Sequence, residues 1–224
     1  MTVYGQFCPV ALGAEVFAER WTPLILRELL YGARRFSDIQ RGVPRISRNL
    51  LAQRLVDLQR HGIIERFAVT SGRGHEYRLT EAGLGLRPVI DALGTWGYKW
   101  ASQDITDEHL DPDFLMWTLR RMVRLDSLPD ERVVVGFRFR GLPKAQYWLV
   151  LKRPEVDLCA IDPGYEVGVD VLADVGALAR VCLGHADFLR TVKSGAIEVI
   201  GAPRHRRALG EWLGVTRFAA MASA

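Results

Sequence analysis

The sequence predicts an α+β protein in two domains, and three observations predict it. Residues 1–102 read as helices leading into one short β-hairpin. Residues 114–224 read as a mostly antiparallel strand run with helices gathered after it, which marks an α+β layer rather than an alternating fold. Between them, residues 103–113 form an acidic linker poor in apolar side chains, and 224 residues suffice for two domains of ordinary size. Composition narrows the class further: 49% hydrophobic and 25% charged residues make an ordinary soluble globular mixture. No run of about 18 uncharged apolar residues occurs, so no membrane span and no membrane partner are expected. The opening "MTVYGQFCPVALGAEVF" lacks a basic segment followed by a clean apolar one, so no secretion leader is expected. Cysteines at 8, 159 and 182 make no disulfide framework and suit a reducing cytosol, which places the chain in the cytoplasm. The five histidines fall at no ligand spacing, so neither metal nor cofactor is expected. Serine-histidine-aspartate sets, nucleophile elbows, phosphate-binding glycine loops and paired-carboxylate motifs are all missing, so the chain is not expected to be an enzyme.

The N-terminal elements follow from local signals. Cys8-Pro9 opens a helix through Ala18, with proline at the first helical position. Thr22-Pro23 repeats that signal, and Leu24, Leu26, Leu29 and Leu30 give the second helix its apolar side before it ends near Gly32. Ser37 and Gln40 form a capping box for a third helix that stops at Gly42. Ser47 caps a fourth, which ends at His61-Gly62. "IIERFAV" and "HEYRLT" then alternate as a hairpin across Ser71-Gly72-Arg73-Gly74. Thr80 caps a last helix, "EAGLGLRPVIDALGTWGYKWA", in which Pro88 introduces a kink. Three small helices and a hairpin are the layout of a winged helix-turn-helix.

Charge singles out the same region. Residues 34 to 78 hold ten arginines (34, 35, 41, 45, 48, 54, 60, 66, 73 and 78) against Asp38, Asp57, Glu65 and Glu76. Such a basic segment in a chain of net charge only +4 fits either a polyanion or a solvated surface. Turning the fourth helix by about 100° per residue gathers Leu51, Leu55 and Leu58 on one side. Asn49, Gln53 and Arg60 fall opposite, with Ser47 and Arg48 in the first turn. Asn and Gln can each pair bidentately with adenine, while Arg48 suits guanine or a phosphate. Arg73, between glycines, suits a backbone or a minor groove. Phosphate contacts are assigned to Arg34, Arg35, Arg45 and Arg73, and sequence preference to Arg48, Asn49 and Gln53, with Ser47 at the same helix start. Double-stranded DNA is the expected partner.

The residues that carry a family likeness are Cys8-Pro9, "RWTPLILREL" (20–29), "RRFSDIQ" (34–40), "ISRNLLAQRL" (46–55) and "YRLTEAG" (77–83). Residues 4–101 resemble the HxlR family of bacterial winged-helix regulators. The resemblance implies cytoplasmic homodimers that bind near-palindromic operators and usually repress. It also implies pairing through the N-terminal helix and the helix after the wing, where Val89, Leu93, Trp96 and Trp100 suit that contact or an intrachain core. The wing "TSGRGHEY" departs from the family's common proline-containing form. Some members sense oxidants or electrophiles through a cysteine at the place of Cys8. A helix N-terminus lowers a thiol's pKa, so Cys8 is a candidate redox sensor, the alternative being a cap residue without redox role. Cys159 and Cys182 sit in apolar runs and read as packing residues.

After the linker comes an amphipathic helix, "FLMWTLRRMVRL" (114–125). Strands follow in which Val133, Val135, Phe137 and Phe139 alternate with smaller or polar neighbours, as do Tyr147, Leu149 and Leu151. "EVDLCAI" and "EVGVDVL" continue the pattern, then helices over 174–183 and 185–194, a strand over 196–201 and a helix over 203–213. "WLVL" (148–151), "VDVLADVGALARVCLG" (169–184) and "TVKSGAIEVIGAP" (191–203) resemble the sterol-carrier-protein-2-like (SCP2-like) fold. That resemblance implies an apolar cavity for a lipid-like small molecule. Trp117, Met122, Phe137, Phe139, Trp148, Leu149 and Phe188 are the candidate lining residues, an ordinary closed core being the alternative.

The expected function is a DNA-binding transcription regulator, in most cases a repressor, modulated by an apolar effector in its C-terminal domain. A thiol-based regulator acting through Cys8 with a ligand-free C-terminal domain, and a lipid-binding carrier protein, are the alternatives.

Overall fold

The computed structural model describes residues 3–69 and 74–222. By compactness the chain divides into two units, Met1–Gly94 and Thr95–Ala224, a division that falls inside one helix.

In the first unit, α1 (Pro9–Phe17) starts on Pro9 with Cys8 as its N-cap, and none of its residues is buried. Helix α2 (Thr22–Leu30) buries Ile25, Leu26, Leu29 and Leu30. Helix α3 (Phe36–Gly42) starts one residue before the predicted box, and its N-cap is Arg35. Ser37 therefore lies inside the first turn, and Gln40 does other work: its amide donates to the Ile46 carbonyl at 2.7 Å, closing the turn into the next helix. Helix α4 (Arg48–Arg60) is capped as predicted, Ser47 Oγ accepting from the Leu50 amide at 3.3 Å. Strands β1 (Ile64–Ala68) and β2 (His75–Leu79) pair antiparallel with Arg66 opposite Tyr77. The predicted single helix after the wing is two, α5 (Glu81–Leu84) and α6 (Arg87–Trp100). The chain turns at Gly85-Leu86, so Pro88 falls in the first turn of α6, where its missing N–H leaves no bond unmade and no kink arises.

A buried ion pair ties α2 to α3. The Glu28 side chain is wholly buried, and Arg27 Nε donates to its Oε1 at 3.0 Å. Arg27 Nη2 donates also to the Gly42 carbonyl at 2.7 Å, which fastens the end of α3. Around this pair Ile25, Leu26, Leu29, Ile39, Leu51, Leu55, Leu58 and Ile64 form one core.

The second unit has its own core and sheet. Asp111 caps α7 (Pro112–Met122) by accepting from the Phe114 amide at 2.9 Å, so that helix starts two residues earlier than its apolar pattern suggests. Strands β3 (Val133–Phe139), β4 (Leu142–Lys152), β5 (Glu155–Cys159), β6 (Val169–Ala173) and β7 (Ile197–Gly201) form a sheet in the order β5-β4-β3-β6-β7. Of the four pairings in this sheet, only β3 with β6 is parallel. Helices α8 (Val175–Leu183), α9 (Phe188–Lys193), α10 (Pro203–Trp212) and α11 (Arg217–Ala222) complete the unit. Alternation sends Val133, Val135, Phe137, Phe139, Tyr147, Leu149 and Leu151 into the core, where Met116, Leu119, Leu178, Leu209 and Trp212 meet them.

A methyl group at Gly42 would overlap the Glu28 carboxylate, whose place the Arg27 bonds hold. Gly42→Ala is expected to destabilise the protein by about 1–3 kcal/mol, read as an earlier unfolding midpoint in urea.

Candidate nucleic-acid interface

Helix α4 shows two contrasting sides. Leu51, Leu55 and Leu58 are no more than 2% exposed, whereas Asn49 and Gln53 lie on the open side with Arg45, Ser47 and Arg48 at the helix start. The Asn49 side chain has no hydrogen-bond partner among the described residues, so its amide is available to a ligand. Gln53 is engaged: its Nε2 donates to Asp57 Oδ1 at 3.0 Å. Arg48 lies over the Phe36 ring with its guanidinium 5.2 Å from the ring centre, which orients it at the N-terminus of α4.

Arg34 and Arg35 are exposed on the segment before α3, and that segment is tied to the wing. The Tyr77 amide donates to the Arg34 carbonyl at 2.8 Å, and Arg35 bridges to Glu76 as a third strand would. Arg73 lies outside the described residues. The wing strands add three groups that the sequence reading did not single out. Arg66 Nη2 donates to His75 Nε2 at 2.9 Å, and Arg78 pairs with Glu76 at 3.2 Å while stacking 5.0 Å from the Phe67 ring centre. The residue register of the hairpin (Arg66 opposite Tyr77, Ala68 opposite His75) was the signal that could have grouped Arg66 with His75.

Ion pairing sorts the cations. Asp38 takes Arg41, Asp57 takes Arg54 and Arg60, and Glu76 takes Arg78. Arg54 is held further by Glu19 at 2.7 Å and belongs to the scaffold. Arg34, Arg35, Arg45 and Arg48 have no carboxylate within pairing distance among the described residues, and all four are exposed. The geometry thus concentrates uncompensated positive charge at the start of α4 and along the strand-like segment beside the wing, a pattern matched to phosphates.

The other sequence-selected residues lie apart from this surface. Cys8 is exposed, and the amides of Ala11 and Val10 at the start of α1 hold its thiol below the ordinary value. Burial moves the other two thiols the opposite way, Cys182 being pushed up to about 12. In the second unit Phe137, Phe139, Leu149 and Phe188 are brought together in the core with Met122 packed against it. Trp117 is buried with Arg120 over its ring at 4.7 Å. Trp148 is not brought to that group: it sits opposite Gly136 on the other face of the sheet, half-buried, since Tyr147 and Leu149 face the core.

Known proteins resemble the first unit and its exit helix. Residues 16–105 match the family described as HxlR-like helix-turn-helix. YvaP, an HTH-type transcriptional regulator of Bacillus subtilis, is 30% identical over 112 residues, covering 49% of this chain and 95% of the relative. An HTH-type transcriptional regulator of Mycobacterium tuberculosis is 43% identical over 94 residues, 41% of this chain; the match spans 58% of that relative's own length. Among solved structures, the reduced redox regulator HypR is 28% identical over 43% of this chain and 95% of its own, with a TM-score of 0.40. Reduced YodB from B. subtilis is 30% identical over 45% of this chain and 100% of its own, with a TM-score of 0.39.

The three thiols should react in a set order. Iodoacetamide is expected to label Cys8 first, with a pH midpoint below that of an unperturbed thiol, while Cys182 stays unlabelled until the protein unfolds. Peptide mass spectrometry across a pH series reads this directly, and equal labelling of Cys8 and Cys182 in the native protein would contradict it.

Proposed function

We propose, from the premise that the chain belongs to the HxlR-like helix-turn-helix family over residues 16–105, that it is a transcription regulator whose α4 enters the major groove of duplex DNA. The observation that carries this reading is the exposed, acid-free set Arg34, Arg35, Arg45 and Arg48 beside a helix edge bearing the unengaged amide of Asn49. In this reading Arg34, Arg35, Arg45 and Arg73 contact phosphates, Ser47 lies at the same helix start, and Arg48, Asn49 and Gln53 read bases. Gln53 has first to leave Asp57, so Asn49 contributes the larger share of discrimination.

A homodimer completes the reading. Val89, Leu93, Trp96 and Trp100 recur along α6 at a helical spacing and are 44%, 46%, 60% and 63% exposed. Helix α1, likewise without a buried residue, exposes Val10 and Leu12. Two apolar helices left in water support pairing, and a two-fold pair would set its α4 helices about 34–36 Å apart for a near-palindromic operator. We assign the protein to the cytoplasm as a repressor. No helix among the described residues is long and apolar enough to cross a membrane. The 103–113 segment would then act as linker to an SCP2-like effector domain over 114–224. An apolar molecule lodged among Met122, Phe137, Phe139, Leu149 and Phe188, with Trp117 nearer its rim, would need a coupling of only about 1–3 kcal/mol to change operator affinity. Thiol control through Cys8 is the second reading, favoured by its exposure and lowered pKa.

Fluorescence anisotropy with a duplex selected by the protein from random sequence tests the DNA reading. Asn49→Ala is expected to erode the preference for the selected over a scrambled duplex by about 1–3 kcal/mol, and Gln53→Ala by less. Arg34→Ala should weaken both duplexes alike and flatten the salt dependence by about one phosphate. Wild-type protein that binds no duplex would overturn the proposal. Leu93→Asp should shift the protein from dimer to monomer in light scattering and weaken binding to the two-fold operator.

A further inference from the structure

The second unit carries a cationic surface that neither its fold nor its ion pairs explain. Helix α10 opens with Pro203-Arg204-His205-Arg206-Arg207. His205, Leu209 and Trp212 recur at a helical spacing and face inward: Leu209 is fully buried, Trp212 is 3% exposed and the His205 side chain is 12% exposed. With that side committed to the core, Arg204, Arg206 and Arg207 project outward, and all three are exposed.

Their local partners are few. Arg204 reaches Glu131 at 3.7 Å, with both side chains more than half exposed, and such a contact in water binds weakly. Arg207 donates through Nε to the Pro203 carbonyl at 3.2 Å, which leaves its two terminal nitrogens free for an outside acceptor. The Arg206 side chain has no hydrogen bond or ion pair among the described residues. Arg132, the residue after Glu131, is exposed and stacked with its guanidinium 4.2 Å from the Tyr165 ring centre. Helix stability does not ask for this arrangement. The N-terminal end of a helix carries partial positive charge, so Arg204 and Arg206 in its first turn are repelled there rather than retained. A surface that keeps several arginines against that repulsion is suited to an external anion of high charge density.

We propose that Arg204, Arg206 and Arg207 of α10 form a second DNA-contacting face, which grips the backbone phosphates of duplex DNA. This rests on the DNA reading of the first unit. The guanidinium fork matches phosphate oxygens in pairs. The face adds affinity and footprint without sequence preference.

The test uses the full-length protein and the selected duplex extended by flanks on both sides. The triple variant Arg204→Gln, Arg206→Gln, Arg207→Gln keeps good helix formers, and the matching triple lysine variant keeps the charge. Each lost phosphate contact lowers the slope of log affinity against log salt by about 0.9. The glutamine variant is expected to lose about two to three in slope for each bound chain. Its preference for selected over scrambled sequence should stay unchanged, and the lysine variant should keep most of the slope. A glutamine variant with wild-type slope overturns the proposal, and so does a lysine variant that loses as much as the glutamine one, since charge would then not be the cause. Loss of binding to phosphatidylserine vesicles with an unchanged DNA slope would also overturn it, by moving the face to a membrane. Wild-type protein that ignores every duplex would instead sink the DNA reading itself, a different result from a variant that binds like wild type.

Discussion

The burial of Leu51, Leu55 and Leu58 is the constraint on which the rest of the first unit depends. A helix has one rotational setting that places three such side chains in a core. Each leucine withdrawn from water contributes on the order of 2 kcal/mol, so a rotation that exposed them would forfeit most of the helix's docking energy. That setting is shared with α2 and α3 through Ile25, Leu26, Leu29 and Ile39, and Arg54 secures one flank through Glu19. Asn49 and Gln53 face outward as a consequence, with no separate interaction needed to place them. The charged pair Arg27–Glu28 does for α3 what the leucines do for α4, since its bond to the Gly42 carbonyl fixes where α3 ends and the turn begins.

Charge and geometry were then arranged by the same few acids. Asp38, Asp57 and Glu76 each stand within pairing distance of an arginine that supports the scaffold or the wing, and so remove Arg41, Arg54, Arg60 and Arg78 from the field. The cations left over cluster where the strand-like segment at Arg34-Arg35 runs beside β2 and where α4 begins. A net count over the sequence segment understates this. What a phosphate would meet depends on which arginines keep an uncompensated guanidinium, and that is decided by contacts between residues up to 35 positions apart, as between Arg54 and Glu19.

Much of this was legible from spacing and caps. Leu51, Leu55 and Leu58 declare their side through periodicity, and Ser47 and Thr80 are hydroxyl caps followed by the helices they start. The second unit's core strands show themselves by alternation, which is broken at Val134 and Val150, both buried between core-facing neighbours. Other features had no local signature. Ser37 and Gln40 stand at capping-box spacing, but the core needs Phe36 inside α3 and the Ile46 carbonyl needs a donor, so tertiary contacts outvoted the local motif. Proline within an apolar helix pattern read as a kink because the break three residues earlier, at Gly85, looked like helix interior. Trp148 joined the wrong group because an aromatic residue between two core residues on a strand must face away from them, a rule that residue type alone conceals.

The interior of the second unit bears on how an effector could act there. Phe137, Leu149 and Leu178 are essentially inaccessible and share one core with side chains from α7 and α10, so under the proposed effector reading a ligand entering among them would have to displace side chains. Binding would therefore proceed by displacement, at the positions that yield most readily. Met122 is one, being partly buried and unbranched, and Val156 and Leu158 on the edge strand β5 are others, since an edge strand has a neighbour on one side only. Displacement has an energetic consequence that filling does not. The contacts broken on entry would subtract from those made, so affinity would be modest beside the structural response. Such a balance suits a regulator, which needs a conformational difference between its states more than it needs tight retention of the molecule that produces it.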